Sequence, residues 1–129
     1  MTHIDHIGII VADLEKAAAK LKPLFGDASI KEMPEVGLRV AEFHPANVTI
    51  ELLQYTEDAE FAKQVMGERL GLNHISARVD DVEHSISQLK AEGFEPKPGF
   101  PRQGAHGRVA FFEPDPVTGL LFEVCQPDD

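Results

Sequence analysis

The sequence predicts an α+β fold in which two tandem β-α-β-β-β modules form a cupped, mostly antiparallel sheet with helices on its outer face. Three observations predict it: a long segment occurs twice, each half shows short strands around one amphipathic helix, and 129 residues suffice for one compact core. We therefore expect residues 1–129 to form a single domain. Module one spans about 3–55, a connector 56–70, and module two about 71–127.

The repeat lies in residues 5–15 and 73–83, which carry the same pattern 68 positions apart. The identical pairs are His6 and His74, Ile7 and Ile75, Val11 and Val79, Asp13 and Asp81, and Glu15 and Glu83. Residues 39–45 and 108–114 form a second echo, and Ile50-Glu51-Leu52 and Phe122-Glu123-Val124 form a third. A unit this long that occurs twice indicates a duplicated module and not a solenoid.

Module one begins with a strand at residues 4–11, where β-branched residues alternate. Asp13 is the expected N-cap of the following helix, and Pro23 and Gly26 are expected to close it. Further strands are expected at 29–33, 38–43 and 48–54, with turns at 34–37 and 44–47.

The connector and module two follow the same logic. Asp58 is the expected cap of a short helix that buries Phe61, Val65 and Met66. Module two then shows a strand at 73–79, a helix capped by Asp81 with Val82, Ile86 and Leu89 inward, and strands at 108–112 and 120–125. Residues 95–101 contain three prolines, which predicts an irregular edge and a loop that runs to Gly107.

Charge and composition exclude several functions. The net charge of −10 repels phosphate backbones, so nucleic acid is not an expected partner. No apolar run approaches the length of a bilayer span, and the first residues lack the pattern of a signal peptide. The single cysteine, Cys125, cannot form an internal disulfide, which is typical of the reducing cytoplasm.

Strand parity selects four polar residues. In each module the first strand carries a histidine opposite its Ile/Val stripe, and the last strand does the same with a glutamate. Because the apolar stripe packs under the helices, the polar residues are expected on the open face. They are His6, Glu51, His74 and Glu123.

Two imidazoles and two carboxylates form a mixed nitrogen and oxygen ligand set for a divalent transition metal, with positions left for substrate oxygens. A single strand histidine is more often a hydrogen-bonded structural residue, and a single glutamate in an apolar strand usually marks its solvated face. The repetition of both residues at matching module positions favours the metal site, since a duplicated scaffold alone requires apolar residues only.

The residues also carry a family resemblance. The segments are Asp5-His6-Ile7-Gly8-Ile9, Met33-Pro34-Glu35-Val36-Gly37, Ile50-Glu51-Leu52-Leu53, His74-Ile75 with Val79-Asp80-Asp81, and residues 104–111. In order and spacing they resemble the vicinal-oxygen-chelate superfamily, also called the glyoxalase/bleomycin-resistance superfamily, and within it the methylmalonyl-CoA epimerases. The resemblance covers nearly the whole chain.

The resemblance implies a metal-dependent epimerase that inverts the carbon next to a thioester carbonyl through an enolate. It implies that Glu123 is both a metal ligand and one of two acid/base groups. Some members carry the second acid/base as a glutamate at the position of Val40, which cannot move a proton. Glu42 lies two residues on and on the same strand face, so it is either a substitute base or an ordinary exposed glutamate.

The chain departs from the family at Glu113-Pro114-Asp115, where histidine-proline-lysine is usual. Two acids there disfavour a CoA-sized anion, although Lys97, Arg102 and Arg108 offer local phosphate contacts. His106 is expected to be a loop residue or a substrate contact. Cys125 lies on the same strand face as Glu123 by parity, and we expect it to be a small buried thiol.

Two alternatives stay open: a glyoxalase-type lactoylglutathione lyase with the same metal cage, and a non-catalytic metabolite-binding protein of the same fold. Dioxygenases of this fold use one carboxylate ligand, which disfavours that chemistry here. Cobalt, zinc, manganese and nickel all suit the ligand set. The expected partner is a small acyl thioester substrate, and analogy with the superfamily predicts a homodimer.

Overall fold

The computed structural model describes residues 3–128, and it has the α+β fold with two β-α-β-β-β modules that the sequence predicts. The chain forms two compact units. The first unit comprises residues 6–73, and the second comprises residues 74–128 together with residues 3–5. The strands β1 and β5 cross these boundaries, and each is described with the unit that contains most of its residues.

The first unit contains a mixed four-stranded sheet covered on one face by a helix. Its elements are β1 (His3–Ile10), α1 (Leu14–Phe25), β2 (Ser29–Met33), β3 (Leu38–Phe43), β4 (Thr49–Tyr55) and α2 (Glu60–Met66). The strand order is β2-β3-β4-β1, with β1 parallel to β4 and the other pairs antiparallel. The core between α1 and the sheet consists of Leu14, Ala41, Phe43, Ile50 and Leu52.

The second unit repeats this topology. Its elements are β5 (Gly71–Arg78), α3 (Val82–Ala91), β6 (Arg102–Gln103), β7 (Gly107–Phe112) and β8 (Phe122–Pro127). The strand order is β6-β7-β8-β5, with β5 parallel to β8 and the other pairs antiparallel. The core under α3 consists of Val82, Ala110, Phe112 and Val124, with Ile86 and Leu89 packed against it.

The helix starts confirm the predicted caps. The side chain of Asp13 accepts a hydrogen bond from the backbone N–H of Lys16 at 3.1 Å, and that of Asp81 accepts one from His84 at 3.1 Å. Each cap satisfies one of the four N–H groups that a helix start leaves without an intrahelical partner.

The strands at residues 29–33 and 38–43 have the predicted bounds, and the other long strands shift by one or two residues. The helix α1 continues past Pro23 to Phe25, and Gly26 is its C-cap as predicted, with its backbone N–H bonded to the Lys22 carbonyl oxygen at 2.8 Å. Proline removes one N–H donor, a loss that packing near the end of a helix can offset. Here Leu21 and Phe25 both pack against the core, which holds the last turn in place.

The predicted cap at Asp58 is wrong. The helix α2 starts after Ala59, with no capping bond from a side chain, and it buries Ala62 and Val65 while Phe61 and Met66 are only partly buried. The backbone of Asp58 instead passes close to Gly37, where an added Cβ would lie 2.3 Å from the Asp58 carbonyl oxygen. Gly37 has a φ of 71°, so both its conformation and this close approach require glycine.

The proline-rich segment forms the irregular edge that was expected. Within residues 95–101, the ladder contact that the structure shows is a bridge between Pro96 and Phe112, and the two-residue strand β6 follows. Among residues 3–128, no helix combines the length and the apolar character that a membrane span requires.

Candidate metal and acid/base site

Both histidines lie on the sheet faces that turn away from the helices. His6 is 4% exposed and His74 is 4% exposed, while their neighbours Ile7 and Ile75 alternate to the other side of the strands. The predicted parity therefore holds within each unit. The histidines are more deeply buried than an open sheet face suggests.

In the first unit the sheet register brings the histidine to a glutamate. The strand β4 runs parallel to β1 with Glu51 opposite Gly8 and Thr49 opposite His6. The Nδ1 atom of His6 then lies 3.7 Å from Oε2 of Glu51, and the Glu51 side chain is 6% exposed. A nitrogen donor and an oxygen donor are thus adjacent in a place from which water is largely excluded.

The second unit repeats the pair. Glu123 lies opposite Ser76 in the parallel pairing of β5 with β8, the register that sets Glu51 opposite Gly8. His74 and Glu123 offer ligand atoms within 4.8 Å of one another. The ring of His74 meets Phe111 edge to face at 4.8 Å between centroids, and this contact limits the rotation of the imidazole.

Glu42 lies beside Glu51. The antiparallel register sets the two glutamates directly opposite each other on β3 and β4, and their carboxylate oxygens come within 4.8 Å. The Glu42 side chain is 14% exposed, and its Oε1 lies 3.8 Å from Nε2 of His44. Val40, on the same face, is 1% exposed and opposite Leu53, so its position offers no proton-transfer group.

The residues fit a divalent cation by their chemistry. Each unit buries one imidazole and one carboxylate, and a buried carboxylate costs several kcal/mol unless a positive charge accompanies it. Imidazole nitrogen and carboxylate oxygen are the donors that zinc and other first-row divalent metals accept. A cation beside such a pair offsets the burial of its glutamate better than a neutral imidazole does.

His106 lies in the glycine-rich loop, as expected. The loop is tight, with the backbone N–H of Gly104 bonded to the carbonyl oxygen of Gly107 at 2.7 Å. The Nε2 atom of His106 lies 3.7 Å from Oδ2 of Asp5, whose Oδ1 accepts from Arg78 at 3.3 Å. The sequence analysis did not name Asp5 as a site residue. Its place in the repeat, where module two has the polar residue Asn73, could have indicated it.

Cys125 is a buried thiol, as predicted. It shares the face of Glu123, and a Cβ added at Gly107 would lie 3.0 Å from its Sγ. The thiol is therefore enclosed by the start of β7.

Two glutamines were missed. The backbone N–H of Leu14 donates to Oε1 of Gln54 at 2.7 Å, and that of Val82 donates to Oε1 of Gln126 at 3.0 Å. Each glutamine follows the glutamate of its strand by three residues and ties the strand end to the helix start. Gln54 and Gln126 are separated by the same number of residues as Glu51 and Glu123, and this match was the signal available in the sequence.

Comparison with known proteins agrees with this architecture. Residues 5–112 match the Glyoxalase/Bleomycin resistance protein/Dioxygenase superfamily. The chain is 33% identical to the human mitochondrial methylmalonyl-CoA epimerase, over 95% of this chain and 73% of that protein. It is 30% identical to the uncharacterised protein YqjC of Bacillus subtilis, over 98% of this chain and 94% of that protein.

A solved structure shows the same fold. It is a methylmalonyl-CoA epimerase in complex with methylmalonyl-CoA and NH4+, with a TM-score of 0.78 and 25% sequence identity. The match covers 98% of this chain and 95% of the other. The likeness thus extends through both modules.

Proposed function

The chain belongs to the Glyoxalase/Bleomycin resistance protein/Dioxygenase superfamily, and from that premise we propose that it is a metal-dependent epimerase. Its substrate is an acyl thioester, methylmalonyl-CoA in the first instance, and it inverts the carbon next to the thioester carbonyl. The observation that carries the proposal is the buried His–Glu pair that recurs at equivalent positions in each module. The identity of about 30% to methylmalonyl-CoA epimerases supports the substrate class.

The proposal includes one shared cation. We infer that the two modules act as a single domain in which His6, Glu51, His74 and Glu123 hold the same divalent metal. The ligand set suits cobalt, zinc, manganese or nickel, and metal availability decides among such ions. When bound, the metal supplies Lewis-acid stabilisation of the negative charge that develops on the substrate oxygens.

Glu123 and Glu42 are the proposed proton carriers. The carboxylate of Glu123 takes the α-proton and becomes a carboxylic acid, which leaves an enolate. Glu42, in its acid form, returns a proton to the opposite face of the same carbon and becomes a carboxylate. The two glutamates have then exchanged protonation states, and exchange with solvent resets them before the next turnover.

The surroundings of Glu42 support this role. Its carboxylate lies within 4.8 Å of that of Glu51, one of the four proposed ligands, so Glu42 lies beside the proposed metal. The buried Val40 offers no alternative at the position where some epimerases carry a glutamate. General acid and base groups typically contribute about 10²–10⁴-fold to the rate.

One observation favours a second candidate, a glyoxalase-type lactoylglutathione lyase. Two cations that could contact CoA phosphates are engaged with acids: Arg108 Nη2 lies 2.7 Å from Glu83, and Lys97 Nζ lies 3.7 Å from Glu113. With a net charge of −10, the protein offers little attraction for the phosphates of CoA. Glutathione hemithioacetals carry no phosphate.

The decisive experiment measures metal content and then proton exchange. Purified protein is stripped of metal, loaded with cobalt or zinc, and incubated with methylmalonyl-CoA in heavy water, while NMR follows the α-hydrogen. The matched control is Glu123→Gln, which keeps the volume and removes the base. Exchange in the wild type that the control lacks supports the epimerase.

Other outcomes overturn the proposal. Turnover of the hemithioacetal of methylglyoxal and glutathione, without α-hydrogen exchange, identifies the lyase. A protein that binds no metal and catalyses neither reaction is a metabolite-binding protein of the same fold. The presence of all four buried donor residues argues against a metabolite-binding protein, because without a metal the two buried carboxylates would only destabilise it.

The proposal extends to assembly and location. We infer a homodimer by analogy with the superfamily, which sedimentation equilibrium tests directly. We infer a cytoplasmic location from the single, buried cysteine. A disulfide-linked species isolated under non-reducing conditions contradicts that inference.

A further inference from the structure

Ser76 carries a hydroxyl group that is fully buried in the second unit. The residue is 0% exposed, and among residues 3–128 no group makes a hydrogen bond with its Oγ. Its place on β5 is two residues after His74, so both side chains lie on the face that turns away from α3. A buried polar group without a partner destabilises a protein, which makes Ser76 a candidate for a role in a bound state.

The sheet register identifies its neighbour. Ser76 lies directly opposite Glu123 in the parallel pairing of β5 with β8. On the other side of Glu123, β7 places Phe111, which has no polar group. Of the two cross-strand neighbours of Glu123, Ser76 is therefore the one that can donate a hydrogen bond.

Alternative acceptors on the same strand are less suitable. Neighbouring strands lie about 4.8 Å apart, whereas residues two apart along one strand are separated by about 6.6 Å. His74 is therefore farther from Ser76 than Glu123 is. Arg78, two residues later, carries donors only. Because Ser76 is fully buried, direct contact with a substrate is also excluded.

The two modules differ at this position. In the first unit the residue opposite Glu51 is Gly8, which has no side chain, and the other neighbour of Glu51 is Glu42. The glutamate with the proposed double role, Glu123, thus has a hydroxyl beside it, and the glutamate that acts only as a ligand has none. The duplicated scaffold does not require this difference, since the register of β1 with β4 is the same as that of β5 with β8.

We propose that Ser76 is a positioning residue for the metal: its hydroxyl donates a hydrogen bond to the carboxylate of Glu123 when Glu123 serves as a ligand. This inference rests on the proposed function. Hydrogen bonds from outside the ligand set orient metal-binding side chains, and their loss typically weakens metal binding about 10–100-fold. The same hydroxyl without metal contributes nothing favourable, so its removal leaves the metal-free protein as stable as before or more so.

The test compares three variants with the wild type. Ser76→Ala removes the hydroxyl, Ser76→Thr retains one, and Ser85→Ala makes the same chemical change in α3, on the opposite side of the sheet. Each metal-free protein is titrated with Co²⁺ in competition with a chelator, and the visible absorption of bound cobalt reports the affinity. Thermal unfolding of each metal-free protein gives its stability.

We expect Ser76→Ala to bind Co²⁺ about 10–100-fold more weakly, with no fall in the melting temperature of the metal-free protein. Ser76→Thr and Ser85→Ala should remain near the wild-type affinity. Equal affinities of Ser76→Ala and the wild type overturn the inference alone, and a lower melting temperature with unchanged affinity assigns Ser76 a purely structural role. A wild type that binds no Co²⁺ overturns the proposed function as well, so the two failures are distinguishable.

Discussion

The Nδ1 atom of His6 lies 3.7 Å from Oε2 of Glu51, with both side chains more than nine-tenths buried. These two groups come from strands separated in sequence by a helix and two further strands, and parallel pairing brings them together. A buried imidazole and a buried carboxylate in this arrangement are poorly solvated. The first predictions therefore concern what happens when one of the buried acids is removed.

Glu123→Ala should abolish turnover and weaken metal binding at least about 10-fold while the protein keeps its fold. The carboxylate is 5% exposed and faces away from the α3 core, so its removal relieves desolvation without opening that core. Circular dichroism, thermal unfolding of the metal-free protein and cobalt titration measure the effects. Glu92→Ala, an exposed change at the end of α3, is the control. Unfolding of Glu123→Ala would show that the carboxylate is structural.

Glu42→Gln should lower kcat about 10²–10⁴-fold with metal affinity within about threefold of the wild type. The amide retains the size of the side chain and its contact with β4 but cannot carry a proton. Steady-state kinetics and cobalt titration separate the two effects. Glu35→Gln, on the exposed turn before β3, is the control. A kcat equal to the wild type would remove Glu42 from the mechanism, and a parallel loss of metal affinity would make it a ligand.

The stability of the protein should fall as the pH rises from about 10 to about 12. Burial, and then the charge of Glu68, raise the pKa of Tyr55 to about 12, against about 10 in the unfolded chain. The folded state therefore binds the phenol proton more tightly, and this stabilisation is present below pH 10 and lost as the pH rises through 12.

Tyr55→Phe tests this prediction, because the chain contains one tyrosine. Tyrosinate absorbance in the folded wild type should titrate near 12. Urea unfolding across the same range should show a shallower pH dependence for the variant, and subtraction removes the contribution of the lysines. Parallel pH profiles of the two proteins would contradict the assignment.

Gln126→Ala should reduce the free energy of unfolding by about 1 kcal/mol, and Gln54→Ala should do the same. Each change leaves a helix-start N–H group, that of Val82 or of Leu14, without its side-chain acceptor. Chemical denaturation measures the change, and Gln88→Ala on the exposed side of α3 is the control. A loss no larger than that of the control would show that water replaces the glutamine oxygen.

Much of the fold was predictable because its signals are local. The alternation along β1 and β5 identifies which residues share a face, and Asp13 and Asp81 mark helix starts by capping chemistry. The cap predicted at Asp58 rested on residue type alone, whereas in the structure Asp58 packs with its backbone close to Gly37 and α2 begins after Ala59.

The neighbours of the glutamates were not predictable in the same way. Parity places Glu42 and Val40 on one face, but only the register between β3 and β4 makes Glu42 the residue opposite Glu51. The register of β5 with β8 likewise gives Glu123 its neighbour Ser76. Neither pairing follows from the spacing of residues within one strand.

The sequence by itself determined that one module occurs twice and that each copy places a histidine and a glutamate on the face away from its helix. It could do so because strand and helix periods are properties of the adjacent backbone. The tertiary structure alone decided how deeply the four side chains are buried and which residue lies beside each glutamate. Those features depend on the register between strands distant in sequence, which the packing of the sheet against its helices fixes.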